Sequence, residues 1–98
     1  RTSSTLKSAA SVTAGDVTTA IDANLYKVIA IYGNSSDNAQ QLTVQVSNDS
    51  TNWYDSDANV YANGASGDYY YKFDAVARYA RIKYGSTATE TTHVSLLA

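Results

Sequence analysis

Residues 42–54 leave little freedom in how this chain can fold. Leu42, Val44 and Val46 alternate with Thr43, Gln45 and Ser47, the period-two pattern of a strand with one buried face. The pattern stops at Ser47-Asn-Asp-Ser-Thr-Asn52, a run of short polar side chains that bond their own backbone and favour turns. Trp53-Tyr54 follows, carrying the single Trp of the chain. A strand, a polar turn and a returning aromatic describe a hairpin, with Trp53 expected to close the core.

The rest of the chain reads the same way. Leu6, Ala10 and Val12 alternate weakly with polar residues, which predicts a first strand over residues 4–13. Residues 1–11 are expected to be an N-terminal arm, partly that first strand, and residues 12–98 a β-sandwich domain. Ala14-Gly-Asp16 is a turn, 17–21 a short strand, and Asp22-Ala-Asn24 another turn. Residues 25–32 are apolar on both faces, with Leu25, Ile29 and Ile31 opposed to Tyr26, Val28, Ala30 and Tyr32, as in a central or covered strand. A polar loop over 33–40 leads to the strand at 41–48.

Residues 55–66 read as irregular. A strand over 67–75 places Tyr69, Tyr71 and Phe73 on one face, with Tyr70, Lys72 and Asp74 on the other. The next, over 77–84, turns Ala80, Ile82 and Tyr84 inward and Tyr79, Arg81 and Lys83 outward. Residues 85–90 turn, and 93–97 close the chain with Val94 and Leu96 inward. About seven or eight short strands, turn signals between them and no helical pattern predict an all-β, antiparallel β-sandwich or jelly roll. The chain has no proline, so its sheet edges rely on charge, bulges or a partner for protection.

Ninety-eight residues make one small domain. A chain of this size buries only roughly 60–65% of its unfolded surface, and without cysteine it has no disulfide to compensate. Oligomerisation or docking on a larger scaffold is the expected source of added stability. The formal net charge of −2 argues against a nucleic-acid partner, which calls for a basic footprint. No apolar run reaches the length of about 18 residues that a membrane-crossing helix needs, and no membrane partner is expected.

The chemistry-bearing residues are few. His93 is the single histidine; with no Gly-x-Ser-x-Gly elbow nearby, it reads as an exposed strand residue, and no catalytic residue or cofactor is expected. Asp55-Ser-Asp57-Ala-Asn59 opens like a calcium loop, but Val60 and Ser66 stand where an EF-hand needs Gly and Glu. Asp49, Asp55 and Asp57 remain the weak metal candidates, against the plainer reading of solvated turn residues. Arg78, Arg81, Lys83 and Lys72 form a modest basic cluster without a Gly-rich phosphate cradle. Two N-x-Ser sequons, at Asn34 and Asn48, fall in expected loops. Tyrosine is over-used, and exposed tyrosines serve both sugar stacking and protein contacts; Tyr70 is the one expected to be exposed.

The text from Val46 to Tyr54, "V-S-N-D-S-T-N-W-Y", followed by "A-R-Y-A-R-I" over 77–82, resembles the discoidin-type β-sandwich. It is still more similar to small β-sandwich proteins encoded in the structural regions of tailed bacteriophages, with Ala14-Gly-Asp-Val17 as the matching opening. The discoidin resemblance implies sugar or lipid binding through loops, on chains that are longer and often disulfide-closed. The phage resemblance implies a virion-surface decoration, cement or neck protein that is not an enzyme, is often trimeric, and contacts the major capsid protein or another virion protein. Arg1, Leu6, Lys7, Tyr70, Tyr79, Arg81 and Lys83 are the expected interface residues. The rival expectations are a carbohydrate-binding module and a subunit of an extracellular filament joined by exchange of the arm.

Overall fold

In the computed structural model, which describes residues 2–37, 39–61 and 67–98 (the backbone alone over 57–61), the chain is all-β. Eight strands follow in order: β1 (Thr2–Val12), β2 (Ile21–Asp22), β3 (Val28–Ser35), β4 (Gln41–Ser47), β5 (Tyr54–Tyr61), β6 (Asp68–Asp74), β7 (Tyr79–Tyr84) and β8 (Ala88–Leu97). They form two antiparallel four-stranded sheets, ordered β1-β8-β3-β6 and β2-β7-β4-β5. The pairing has a simple origin. β1 pairs with β8, β2 with β7, β3 with β6 and β4 with β5, so the chain is one long two-stranded ribbon folded at the β4–β5 hairpin. Wrapping that ribbon brings β3 against β8 and β4 against β7, which closes a jelly-roll sandwich.

The alternation seen in sequence decides what fills the space between the sheets. Ile29, Ile31, Tyr69, Val94 and Leu96 face inward from the first sheet, and Ile21, Leu42, Val44, Ala80, Ile82 and Tyr84 from the second. At about 25 cal/mol per Å² of apolar surface, these buried aliphatic and aromatic side chains are the main source of stability. Tyr84, Ile82, Leu42, Val44, Ile29 and Ile31 are fully enclosed.

Several expectations are corrected. The first strand expected at 4–13 is present as β1, which begins earlier, at Thr2, and pairs along β8 as an edge of the first sheet. From Thr2 onward the segment expected as a partial arm is therefore strand; Leu6 packs against the core. The strand expected at 17–21 is reduced to a bridge between Val17 and Lys83 and to β2. Thr18 turns its hydroxyl onto the backbone N–H of Ile82 at 3.1 Å, replacing a ladder bond with a side-chain one. The strand expected at 25–32 starts instead at Val28, because a turn closed by the Tyr26 N–H on the Ala23 carbonyl leaves Leu25 in solvent. It runs on through Gly33 to Ser35, flanked by β6 and β8. A Cβ at Gly33 would sit 1.8 Å from the Thr91 carbonyl oxygen, so only glycine permits that approach. β5 occupies residues expected to be irregular: register shifts between Leu42 and Val44 and between Val44 and Gln45 break the alternation that would have marked it.

Candidate functional site

The expected interface residues do not share one surface. β6 and β7 are consecutive in sequence but lie in opposite sheets, so residues pointing outward from each point in opposite directions. Tyr70 stands on the outer face of the first sheet, while Tyr79, Arg81 and Lys83 are half-buried on β7 of the second. The same crossing separates Lys72 from Arg81 and Lys83. Lys7 sits half-buried between two register shifts of β1. Arg1 lies outside the described residues.

The second sheet's outer face is knitted together. The Arg81 guanidinium lies 4.3 Å over the Trp53 ring, donates from Nε to Gln45 Oε1 at 2.8 Å, and Gln45 Nε2 donates to Asp55 Oδ1 at 2.9 Å. Trp53 is therefore a half-buried lid over Arg81 and not the core residue the sequence implied; the polar turn delivers it to the outside of β4. Arg78 pairs with Asp22 at 3.4 Å and lies 5.0 Å over the Tyr79 ring.

The expected metal candidates are spoken for or undescribed. Asp49 accepts the backbone N–H groups of Asn52 and Thr51, the Ser47 hydroxyl and the Asn52 amide, each at 2.9 Å. Those donors, the Asn52 and Thr51 backbone first, hold its carboxyl well below the usual carboxylate range. Its oxygens organise the β4–β5 turn, where Ser50 takes a left-handed φ of 60°. Asp55 is bonded by Gln45, and the Asp57 side chain lies outside the described residues. Among the described residues no group of three His, Cys, Asp or Glu side chains converges.

One buried cluster escaped the sequence reading. Glu90, expected in a turn, lies in β8 with no exposed surface. Its Oε2 accepts from the Ser35 hydroxyl and from Gln40 Nε2, the latter at 2.9 Å. Gln40 Oε1 in turn accepts the N–H groups of Gly85 and Ser86. Beside it a single proton order satisfies three hydroxyls: Tyr84 donates to Thr92, Thr92 to Tyr69, and Tyr69 to the Thr91 carbonyl. Burial pushes the Tyr84 phenol up to about 12 and raises that of Tyr69 further. His93, on the other side of β8, contacts the Thr5 hydroxyl through Nδ1 at 3.0 Å and packs 5.2 Å from the Tyr32 ring.

The outer face of the first sheet has a different character. Cross-strand register lines up Ser3, Ser95, Ala30 and Lys72 in one row, and Thr5, His93, Tyr32 and Tyr70 in the next. On the other side stand Leu97, Val28 and Asp74. A row made mostly of small side chains between two bulkier ones is a groove by construction. It encloses about 360 Å³ and is lined by Ser3, Ala30, Tyr32, Tyr70, Lys72, Ser95 and Leu97. Tyr70 is 61% exposed and Tyr32 39%. Ser95 is 7% exposed, and among the described residues its Oγ is the one buried side-chain polar atom without a hydrogen-bond partner.

The four sheet edges also differ. β2 is two residues long; β5 carries Asp55 and Asp57, and β6 carries Asp68, Lys72 and Asp74. β1 is eleven residues long, and over Thr2–Thr5 it is uncharged, exposed and in regular register with β8. Its bulges come only later, around Lys7. By the criteria of length, charge and irregularity, this is the least protected edge.

What fold and surface define is a class: a small jelly-roll sandwich with one open edge and one grooved outer face. Compared with protein-family models, with curated proteins and with solved structures, the chain finds no match.

Proposed function

We propose that the chain is a non-enzymatic structural subunit of a virion, a decoration or cement protein on the capsid surface. It would stabilise joints between capsomers by contact with the major capsid protein and with further copies of itself, a trimer being the favoured form. The observation that carries the reading is the β1 edge over Thr2–Thr5. A strand with a free row of backbone N–H and C=O groups and no guarding charge is a template for strand addition by a neighbour. The resemblance of the "V-S-N-D" to "A-R-Y-A-R-I" text to phage structural sandwiches supports the same reading. So does the small size of a domain without disulfides, which gains from a partner.

Ser4→Lys tests it. The substitution puts a charge on the exposed edge, on the β1 face shared with Leu6, a device that blocks edge pairing. Light scattering of the wild-type chain, and its co-sedimentation with undecorated capsids, should show oligomers and capsid binding. Ser4→Lys should lose both while its thermal midpoint stays within a few degrees. Undiminished assembly in the variant, or a wild-type chain that stays monomeric and ignores capsids, refutes the reading.

A further inference from the structure

We propose that the groove across the outer face of the first sheet is a binding site for an acidic pyranose sugar. Its floor is made of the small side chains of the row, Ala30 and Ser95, with Ser3 continuing it on β1. Its volume of about 360 Å³ lies at the lower end of the range for small-ligand sites, enough for a sugar ring and its substituents. Tyr70 and Tyr32 are cross-strand neighbours on one side and present ring surface against which the C–H face of a pyranose stacks. Leu97 forms the opposite wall.

Two polar groups define the rest of the ligand. The Ser95 hydroxyl is buried without a partner, a cost that nothing in the fold relieves and that a ligand hydroxyl removes. Ser95 itself is among the residues lining the groove. Lys72 supplies a cation at one end of the row; among the described residues the ion pair present is Arg78–Asp22, in a different part of the molecule. The carboxylates on β6 lie at its two ends and not in the groove lining. Asp68 accepts from Asn34 Nδ2 at 2.8 Å, and Asp74 stands opposite Val28. A carboxylate on the sugar therefore meets Lys72 as its nearest charged lining group.

This site shares Ser3 with the β1 edge, but Ser4 lies opposite Val94 on the other face of that strand, so its test is separate. Amide NMR spectra of the whole chain are recorded during titration with glucuronic acid, with glucose and acetate as comparison probes. Saturable shifts are expected at Ala30, Tyr70, Lys72 and Ser95. Glucose should bind at least threefold more weakly, and acetate should not saturate. Tyr70→Ala should weaken both sugars tenfold or more while the spectrum stays folded, and Lys72→Ala should abolish the preference for glucuronate. The Trp53 side chain, on the second sheet, should not respond. Ser4→Lys should bind sugar normally, so failure of edge pairing and failure of the groove are told apart. The proposal is overturned if neither sugar saturates, or if acetate reproduces the shifts, leaving an anion site only. It is also overturned if Tyr70 and Lys72 broaden with protein concentration in sugar-free samples, which would make a second copy the occupant.

Discussion

Two polar regions on the same strand have opposite characters. On the inner side of β8, Glu90 and Thr92 are fully buried, and their polar atoms are matched by Ser35, Gln40, Tyr69 and Tyr84. On its outer side, Ser95 is buried and unmatched. The first arrangement locks β8 to β3 and to the loop holding Gln40, because any slip of register leaves a carboxylate and several donors stranded between the sheets. The second contributes nothing to that locking. Satisfied burial specifies the fold, whereas unsatisfied burial is a cost the fold carries, and such costs concentrate where a surface has another use.

The sharpest way to break this comparison is to remove the carboxylate. Glu90→Ala leaves the Ser35 hydroxyl and one of the two Gln40 Nε2 hydrogens without an acceptor, the other staying on the Ser86 carbonyl at 3.0 Å. It also opens a cavity, and the loss is about 3 kcal/mol. At about 4–8 °C per kcal/mol for a domain of this size, the melting midpoint should fall by more than about 10 °C. Glu90→Gln keeps an acceptor oxygen and should lose about half as much. If Glu90→Ala shifts urea unfolding by no more than about 0.5 kcal/mol, as at an ordinary surface site, the cluster is not what holds β8 in register.

A second, smaller effect follows from the tyrosines beside it. The Tyr84 phenol is raised to about 12 in the folded chain, above its unfolded value of about 10. The unfolded chain therefore loses this proton first as pH rises. The stability tied to it is intact below about pH 10 and falls by up to about 1.4 kcal/mol per pH unit from there to about pH 12. Tyr69, shifted in the same direction by burial, steepens the fall. Urea midpoints at several alkaline pH values should show this decline, and Tyr84→Phe should flatten it. A decline unchanged in Tyr84→Phe would separate this cluster from alkaline unfolding.

The sequence carried the fold well where alternation was regular and poorly where a bulge or a buried polar residue interrupted it. Ala80, Ile82, Tyr84, Tyr69, Val94 and Leu96 are inward as their period-two spacing indicates. β5 is hidden by its register shifts, whereas the first strand is legible over 4–13 and only its start, at Thr2, falls earlier than the weak alternation indicates. Glu90 was missed for a physical reason: a carboxylate between Thr residues reads as solvent-facing unless its donors are known. Those donors, Ser35 and Gln40, are more than forty positions away along the chain. The groove was half legible. Tyr70 was expected to be exposed, and it is, but only the register that sets Ser95 beside Ala30 makes a floor. That register is invisible without the pairing of β3 with β8.

The smallest expected effect is also the most discriminating, because its sign is reversed. Ser95→Ala deletes a hydroxyl that has no partner and leaves a methyl-sized side chain on the same row. The desolvation cost of a buried, unpaired polar group disappears and no other group is stranded, so the chain should gain about 0.5–1 kcal/mol. Thr92→Val removes a hydroxyl of similar burial from the inner side of the same strand. It breaks the relay between Tyr84 and Tyr69 and should cost about 1–2 kcal/mol. Thermal or urea unfolding of the two variants side by side measures this difference. If both destabilise alike, Ser95 has a partner in solution and the contrast between the two sides of β8 fails. If only Ser95→Ala stabilises, the hydroxyl is kept at the expense of stability, and its use lies on the surface of the molecule.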